Sequence, residues 1–494
     1  MKELKLLSAI LVAVMLTGCE DFLNMRPEGT IPSTGMDYSK TENIFLPVSA
    51  AYASLRNGST HAFPYIGAFE ITSDNADKGS TPEDNPTMKE IDDLDYDKTN
   101  ELIRQLWEGY YDVVSSANYA IHQMPLFVDA LTTSLDDDYA LQCQGEAKTI
   151  RAYAYFNLTR LFGRVPIIES SLTAEELTQV VQASTEDLYA FIENDLKEAI
   201  EVLPKSYTKE WAGRINKYTA MALKAKVHMY QQEWDSVASL TDRIIASDRY
   251  GLLEDFREVF SLDGENSKES LFEIQSSTLG KTTGDQTYVE YAYVQGPRGN
   301  VPSGLQGWGF CTPSQNLIDF YTVRGEVVRP ATTFLLRGTM TPEGDSIKTI
   351  CSNPVYNGKV YTPLIYNRWN YNGYGFDYNI RILRYSDVLL MYGEALTSGV
   401  TVTTNSGLTA DDAVNLVRLR AGLTSLSGVT LQQIWDERRA ELALEEDRFF
   451  DLIRTGKAAT ALASKGFTAG KHEVFPIPAS QILLNDNLVQ NDNY

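Results

Sequence analysis

From Gln142 to Phe162 the apolar positions Cys143, Ala147, Ile150, Ala154, Leu158 and Leu161 recur at steps of four, three, four, four and three, which is one face of an α-helix. Gly163 ends the run and Pro166 reinforces the stop. The same period predicts helices over Glu101–Met124, Ser184–Leu203, Lys217–Gln231, Trp234–Ser247, Ile382–Leu396, Ala410–Arg420 and Leu431–Arg454. Only a short break separates Lys217–Gln231 from Trp234–Ser247, and Ala220, Ala222, Ala225 and Ala238 permit close approach, so these two form an antiparallel helical hairpin. Several such hairpins in one chain predict a mainly α fold of tetratricopeptide-like units, whose single apolar faces are buried by stacking. The repeat is degenerate, with no fixed self-similarity at about 34 residues.

Between the helical blocks, 61–98, 275–321 and 353–379 are rich in Gly, Pro, Asn and aromatic residues, and are too long for simple connectors. They predict an irregular, ligand-facing part. The resulting division is a signal peptide over 1–18, a polar leash over 19–46 and one body over 47–494. Within the body the scaffold covers 47–60, 99–274 and 380–494, and the loop-rich segments cover 61–98 and 275–379.

The leader carries its own chemistry. Lys2 and Lys5 precede an apolar run from Leu6 to Leu16, long enough for a signal-peptide core and short of the roughly 20 residues that span a bilayer. Leu16-Thr17-Gly18-Cys19 follows and resembles a bacterial lipobox, in which the Cys19 thiol takes the diacylglyceryl group. Two or three acyl chains, at about 0.8 kcal/mol per buried CH₂, hold such a protein to a membrane.

Composition narrows the function. A net charge of −23 and a pI near 4.7 repel the phosphate backbone, which excludes nucleic-acid binding, and leave no basic patch for anionic lipid. Of the three cysteines after Cys19, Cys143 falls in a helical pattern and reads as core; Cys311 and Cys351 could pair or stay free.

Seven aromatic residues, Tyr361, Tyr366, Trp369, Tyr371, Tyr374, Phe376 and Tyr378, are interleaved with Asn367, Arg368, Asn370 and Asn372. Rings offer flat apolar platforms to the C–H face of a pyranose, while Asn and Arg supply directional hydrogen bonds to hydroxyls. A second cluster, Tyr288, Tyr291, Tyr293, Trp308 and Phe310, lies among Gly296, Gly299, Gly304, Gly307 and Gly309. Glycine lets a ligand approach closely, which makes Trp308 the best single platform, with Tyr288, Tyr291, Trp369 and Tyr371 beside it. The other reading of both clusters is a ring-rich hairpin packed on the helices.

Asp74, Asn75 and Asp77 in the turn-prone Ser73–Gly79 are candidate polar partners for hydroxyls. An EF-hand reading fails, because Ala76, Lys78 and Asn85 fall at the third, fifth and twelfth positions; only a looser calcium site, assigned to no residues, stays open. Glu437, Glu441 and Glu445 share a helical face with Arg448, Arg438 and Arg439 nearby, and read as ion pairs rather than a hydrolase pair. His61, His122, His228 and His472 show no zinc or triad spacing, so no metal site, cofactor or catalytic residue is expected.

Five segments give the chain a resemblance to the SusD/RagB family of nutrient-binding outer-membrane lipoproteins of Bacteroidetes. They are Cys19-Glu20-Asp21-Phe22-Leu23; Ala147 to Phe156 with Leu161-Phe162-Gly163-Arg164-Val165-Pro166; Arg384 to Ala395; Glu437 to Glu445 with Arg448-Phe449-Phe450-Asp451-Leu452 and Arg454-Thr455-Gly456; and Phe475-Pro476-Ile477-Pro478 with Gln490, Asn491 and Tyr494. Glu446 departs from the pattern, since the family often has glycine there, and the match is sparse over 275–379. The resemblance implies a SusD-like helical body, anchored through Cys19 in the outer membrane and facing the cell exterior. Its implied role is to capture an oligosaccharide and deliver it to a SusC-like TonB-dependent transporter, without catalysis. The alternatives are a surface glycoside hydrolase, a peptide-binding member of the same family, or an adhesive lipoprotein. Glycan identity, linkage and chain length are not encoded in any motif read here.

Overall fold

The computed structural model describes residues 35–277, 289–300, 305–366, 377–400 and 403–494. Ten helices carry the scaffold: α1 (Phe45–Ser54), α2 (Glu101–Ala130), α3 (Ser134–Phe162), α4 (Thr185–Val202), α5 (Lys217–Tyr230), α6 (Trp234–Ile245), α7 (Tyr385–Thr397), α8 (Ala410–Arg420), α9 (Leu431–Leu442) and α10 (Arg448–Arg454). Their starts are written in side chains. Asn100, Thr133, Ser184, Asn216, Thr409 and Thr430 each accept a backbone N–H in the first turn, and at α5, α8 and α9 the contact is reciprocal.

Consecutive helices pack as stacked hairpins, α2 on α3, α3 on α4, α4 on α5, α5 on α6, and α6 on α7. The fold is mainly α and tetratricopeptide-like, as the periodicity predicts. The middle of α3 is buried on every side, from Thr149 to Thr159, so it serves as the axis on which neighbours pack.

Four boundaries differ from the sequence reading, each for a local reason. Helix α2 runs through Pro125 to Ala130 instead of ending at Met124. Proline at 125 leaves the Ile121 carbonyl without its intrahelical donor, and the Gln144 side chain supplies one at 3.3 Å. Helix α3 begins at Ser134, eight residues before its apolar stripe, because Thr133 caps it there. Residues Ile380–Arg384 form a strand before α7, although the apolar spacing reads as helix from Ile382. The predicted helix Leu431–Arg454 is two helices, since Leu444 (φ 63°) and Glu446 (φ 64°) take left-handed backbone between them.

Three antiparallel strand pairs lie outside the helical stack: β1 (Ala76–Gly79) with β3 (Phe310–Pro313), β2 (Ser270–Ile274) with β6 (Ile380–Arg384), and β4 (Phe334–Leu336) with β5 (Val355–Asn357). The first builds the irregular face. The second closes a core that is charged as well as apolar.

In that core Arg384 pairs with Glu269, Glu441 and Glu445, Arg420 with Glu269 and Glu441, and Arg329 with Glu326, Glu437 and Glu441. Burial alone would raise the Glu441 carboxyl, yet Arg420, Arg384 and Arg329 together hold it far below the carboxylate range. Glu437 and Glu441 of α9 are therefore ion-paired, as expected, with Arg324, Arg329, Arg384, Arg418 and Arg420 from other elements. Glu445 lies beyond the end of α9 and bonds Lys359 and Arg384.

Cys143, Cys311 and Cys351 are buried free thiols, which settles the pairing left open by the spacing. Among the described residues no helix is long and apolar enough to cross a membrane.

Candidate functional site

The β1–β3 pair is where glycines and rings meet. Gly79 opposes Phe310 in register and has φ 69°; a Cβ there would stand 2.5 Å from the Gly309 carbonyl oxygen. Gly307 is packed so tightly that a Cβ would lie 2.2 Å from the Tyr293 carbonyl oxygen. These approaches place Trp308 between two backbone strips: its N–H donates to the Tyr293 carbonyl at 3.0 Å, and the Ser80 hydroxyl donates to the Trp308 carbonyl oxygen at 2.7 Å.

The indole is half-buried. Phe63 stands edge-on to it at 6.2 Å and Tyr293 at 5.6 Å, and Phe63 in turn meets Phe310 edge-on at 4.7 Å. Rings on two sides fix the orientation of Trp308 while part of it stays open. A polar rim adjoins it. Arg298 pairs with Asp84 at 2.9 Å, Asp84 lies 2.7 Å from the Ser80 hydroxyl, and Asn353 donates to the Ser80 carbonyl at 3.2 Å. Lys78 donates to the carbonyls of Thr81 and Asp84, which locks the turn carrying Asp84. Hydrogen bonding to Ser80 lowers the Asp84 carboxyl first, with Thr81 and the Arg298 charge adding to it, so it stays an anionic acceptor.

The other expected site residues divide. Tyr291 is buried, and its hydroxyl donates to Glu446 at 2.5 Å; it is a core residue, not a platform. Asp74 is buried and gripped by both nitrogens of the Arg448 fork at 2.7 and 2.9 Å, with Arg439 at 3.3 Å. Burial would raise its carboxyl, but Arg448 and then Arg439 bring it below the usual value. Asn75 is buried and accepts from Arg439 at 2.9 Å. Both are claimed by guanidinium groups and are removed from the set of ligand partners.

Asp77 is exposed on β1, but it pairs with Thr312, four residues and roughly 13 Å of strand beyond Trp308. Tyr288, Trp369, Tyr371 and Cys19 lie outside the described residues. At the ends of the Tyr361–Tyr378 cluster, Tyr361 bonds Asp345 at 2.5 Å and Tyr378 donates to the Lys359 carbonyl at 2.5 Å; both are buried. Reading the sequence missed Phe63, Asp84, Arg298 and Asn353. Arg298 had a signal, since Gly296-Pro297-Arg298-Gly299 is a turn sequence beside the aromatic cluster.

Behind this surface two acids are buried together. Glu70 accepts the backbone N–H of Glu446 at 2.8 Å and of Leu444 at 3.3 Å, holding the left-handed segment between α9 and α10. Burial pushes the Glu70 carboxyl up to about 7, and burial with the charge of Glu70 pushes Glu446 well above the carboxylate range. The glycine usual at position 446 in the family suits that left-handed backbone, and here a glutamate occupies it. A separate groove of about 520 Å³ is lined by Trp107, Tyr111, Ile168, Leu177, Leu484 and Leu488, and shares no residue with the ring cluster around Trp308.

A family model described as the SusD family matches residues 353–494, and one described as starch-binding associating with outer membrane matches residues 21–229. The chain belongs to the SusD/RagB family. It is 27% identical to SusD-like protein P2 of Formosa agariphila over 524 aligned positions, covering 100% of this chain and 99% of that one. Among solved structures it superposes on a laminarin binding SusD-like protein with a TM-score of 0.79 and 26% identity, over 92% of this chain and 99% of the other. It is similar also to surface glycan-binding protein A from Bacteroides thetaiotaomicron in complex with laminarihexaose, with a TM-score of 0.76, 25% identity and the same coverage. The SusD fold thus extends over the irregular face as well as the helices.

Proposed function

We propose that this SusD-family protein is a cell-surface glycan-binding lipoprotein that captures an oligosaccharide and passes it to a SusC-like TonB-dependent transporter in the outer membrane. The observation that carries the reading is the partly exposed Trp308, clamped edge-on by Phe63 and Tyr293 and bordered by Asp84, Arg298 and Asn353. An indole face takes the C–H face of a sugar ring, and the adjoining carboxylate, guanidinium and amide give directional bonds to hydroxyls. Likeness to a laminarin binding protein and to a laminarihexaose complex supports a glucan as the first ligand to try.

The anchor rests on Cys19, whose acylation keeps the binding face at high effective concentration near its transporter. The role is binding without hydrolysis. Isothermal titration of the mature chain against a glycan panel tests capture; a molecule that takes no glycan but takes peptides, or releases new reducing ends, overturns it. Co-purification of a large β-barrel from detergent-solubilised membranes tests the transporter, and labelled fatty acid incorporation lost in Cys19→Ala tests the anchor.

A further inference from the structure

Away from the platform, three scaffold elements turn ligand atoms toward one point. Glu193 comes from α4, His228 from the last turn of α5, and Glu233 from the residue that precedes α6. One nitrogen or oxygen from each lies within 4.8 Å of the other two. His228 Nδ1 is 2.5 Å from a Glu233 oxygen and 3.8 Å from a Glu193 oxygen. The imidazole is buried, with 6% of its side chain exposed, whereas Glu193 and Glu233 keep 25% and 48% exposed. One ligand is therefore fixed by packing and two have tips free to adjust.

The cluster also differs from the Glu437–Glu441 core in having no guanidinium on its carboxylates. The carboxylates of the central core are bound by arginine forks, but among the described residues no arginine pairs with Glu193 or Glu233. The cation beside them is Lys224, one turn before His228, which donates to the Glu193 backbone carbonyl at 3.2 Å. Gln231 donates to the Glu193 carboxylate at 2.7 Å and holds it facing the histidine.

We propose that Glu193, His228 and Glu233 form a zinc site that ties α4 to the α5–α6 turn. Imidazole nitrogen and carboxylate oxygen bind zinc at about 2.0–2.2 Å, which puts tetrahedral ligand atoms roughly 3.4 Å apart. Moving from 2.5 and 3.8 Å to that spacing asks for side-chain shifts of about 1 Å at the two exposed glutamates. Water takes the fourth position, since both carboxylates open to solvent. With no thiolate and only one imidazole, the donor set suits zinc above cuprous ion, and the histidine sets it apart from an all-oxygen calcium cage. No sequence spacing shows this set, because its members are separated by 35 and 5 positions.

The test is isothermal titration of chelator-stripped mature chain in detergent with zinc chloride, comparing wild type, His228→Ala, Glu193→Gln and His122→Ala. One equivalent is expected to bind wild type and His122→Ala alike, and to bind more than about tenfold more weakly to Glu193→Gln and His228→Ala. If His228→Ala unfolds, Glu193→Gln carries the comparison, because its carboxylate is partly exposed. Absence of saturable binding to wild type overturns the proposal and leaves a His–Glu hydrogen bond closing a turn. Unchanged affinity in Glu193→Gln, or loss in His122→Ala, also overturns it. None of these outcomes depends on glycan capture, so the two readings fail separately.

Discussion

The helical stack and the β1–β3 face hold themselves together by different means. In the stack, helices bury apolar stripes and the charges that enter the core are neutralised by guanidinium groups from distant elements. On the face, position is set by backbone meeting backbone: Gly307 against Tyr293, Gly79 against Gly309, and the Ser80 N–H on the Gly309 carbonyl. The stack can lose surface detail and persist, whereas a single methyl group on the face moves the platform. Stability and recognition are thereby assigned to separate chemistries.

The sharpest way to break that separation is at the charged core. Arg384→Ala strands Glu269, Glu441 and Glu445 without their shared partner, and should cost about 3–5 kcal/mol in chemical denaturation while molecules that remain folded bind ligand normally. On the other side, Trp308→Ala should weaken glycan binding by about 1–3 kcal/mol in titration while the body stays folded, since the partly exposed ring packs at the margin of the core rather than inside it. Normal binding by a folded Trp308→Ala protein would remove Trp308 from the site.

The buried acids join the two regions, and pH reads them. Glu70 and Glu446 both have folded-state values above those of an unfolded chain, so their contribution to stability is full below about 4.5 and is lost as pH rises through about 7 for Glu70 and higher for Glu446. Melting temperature should fall from pH 5 to pH 9, and Glu446→Gln should flatten the fall. A steeper decline in the variant would contradict the assignment. Smallest of all is Tyr291→Phe, which removes one buried hydrogen bond to Glu446; it should cost about 1 kcal/mol of stability and leave glycan affinity as it was.

The difference between the regions also explains what could be read from the chain. Helices announced themselves through apolar period and capping residues, because both are local: Asn216 and Thr219 cap α5 within four positions of each other. The strand Ile380–Arg384 escaped notice because Arg381 and Arg384 look like helix surface, yet both are buried on acidic partners. The fates of Tyr291, Asp74 and Asn75 were decided by Glu446, Arg448 and Arg439, more than 140 positions away, and composition cannot tell an exposed ring or acid from one claimed by such a partner. The close backbone approach around Trp308 was legible because flanking glycines signal it. Asn353 was not, since its partners Ser80 and Gly309 lie 273 and 44 positions away.

The three sulfurs of Cys143, Cys311 and Cys351 sit unlinked in the interior. No covalent cross-link among them is needed for the body to reach its native form, so its maturation asks nothing of an oxidase or isomerase. Production of the body in a reducing cytosol should yield the same fold that an oxidising compartment would.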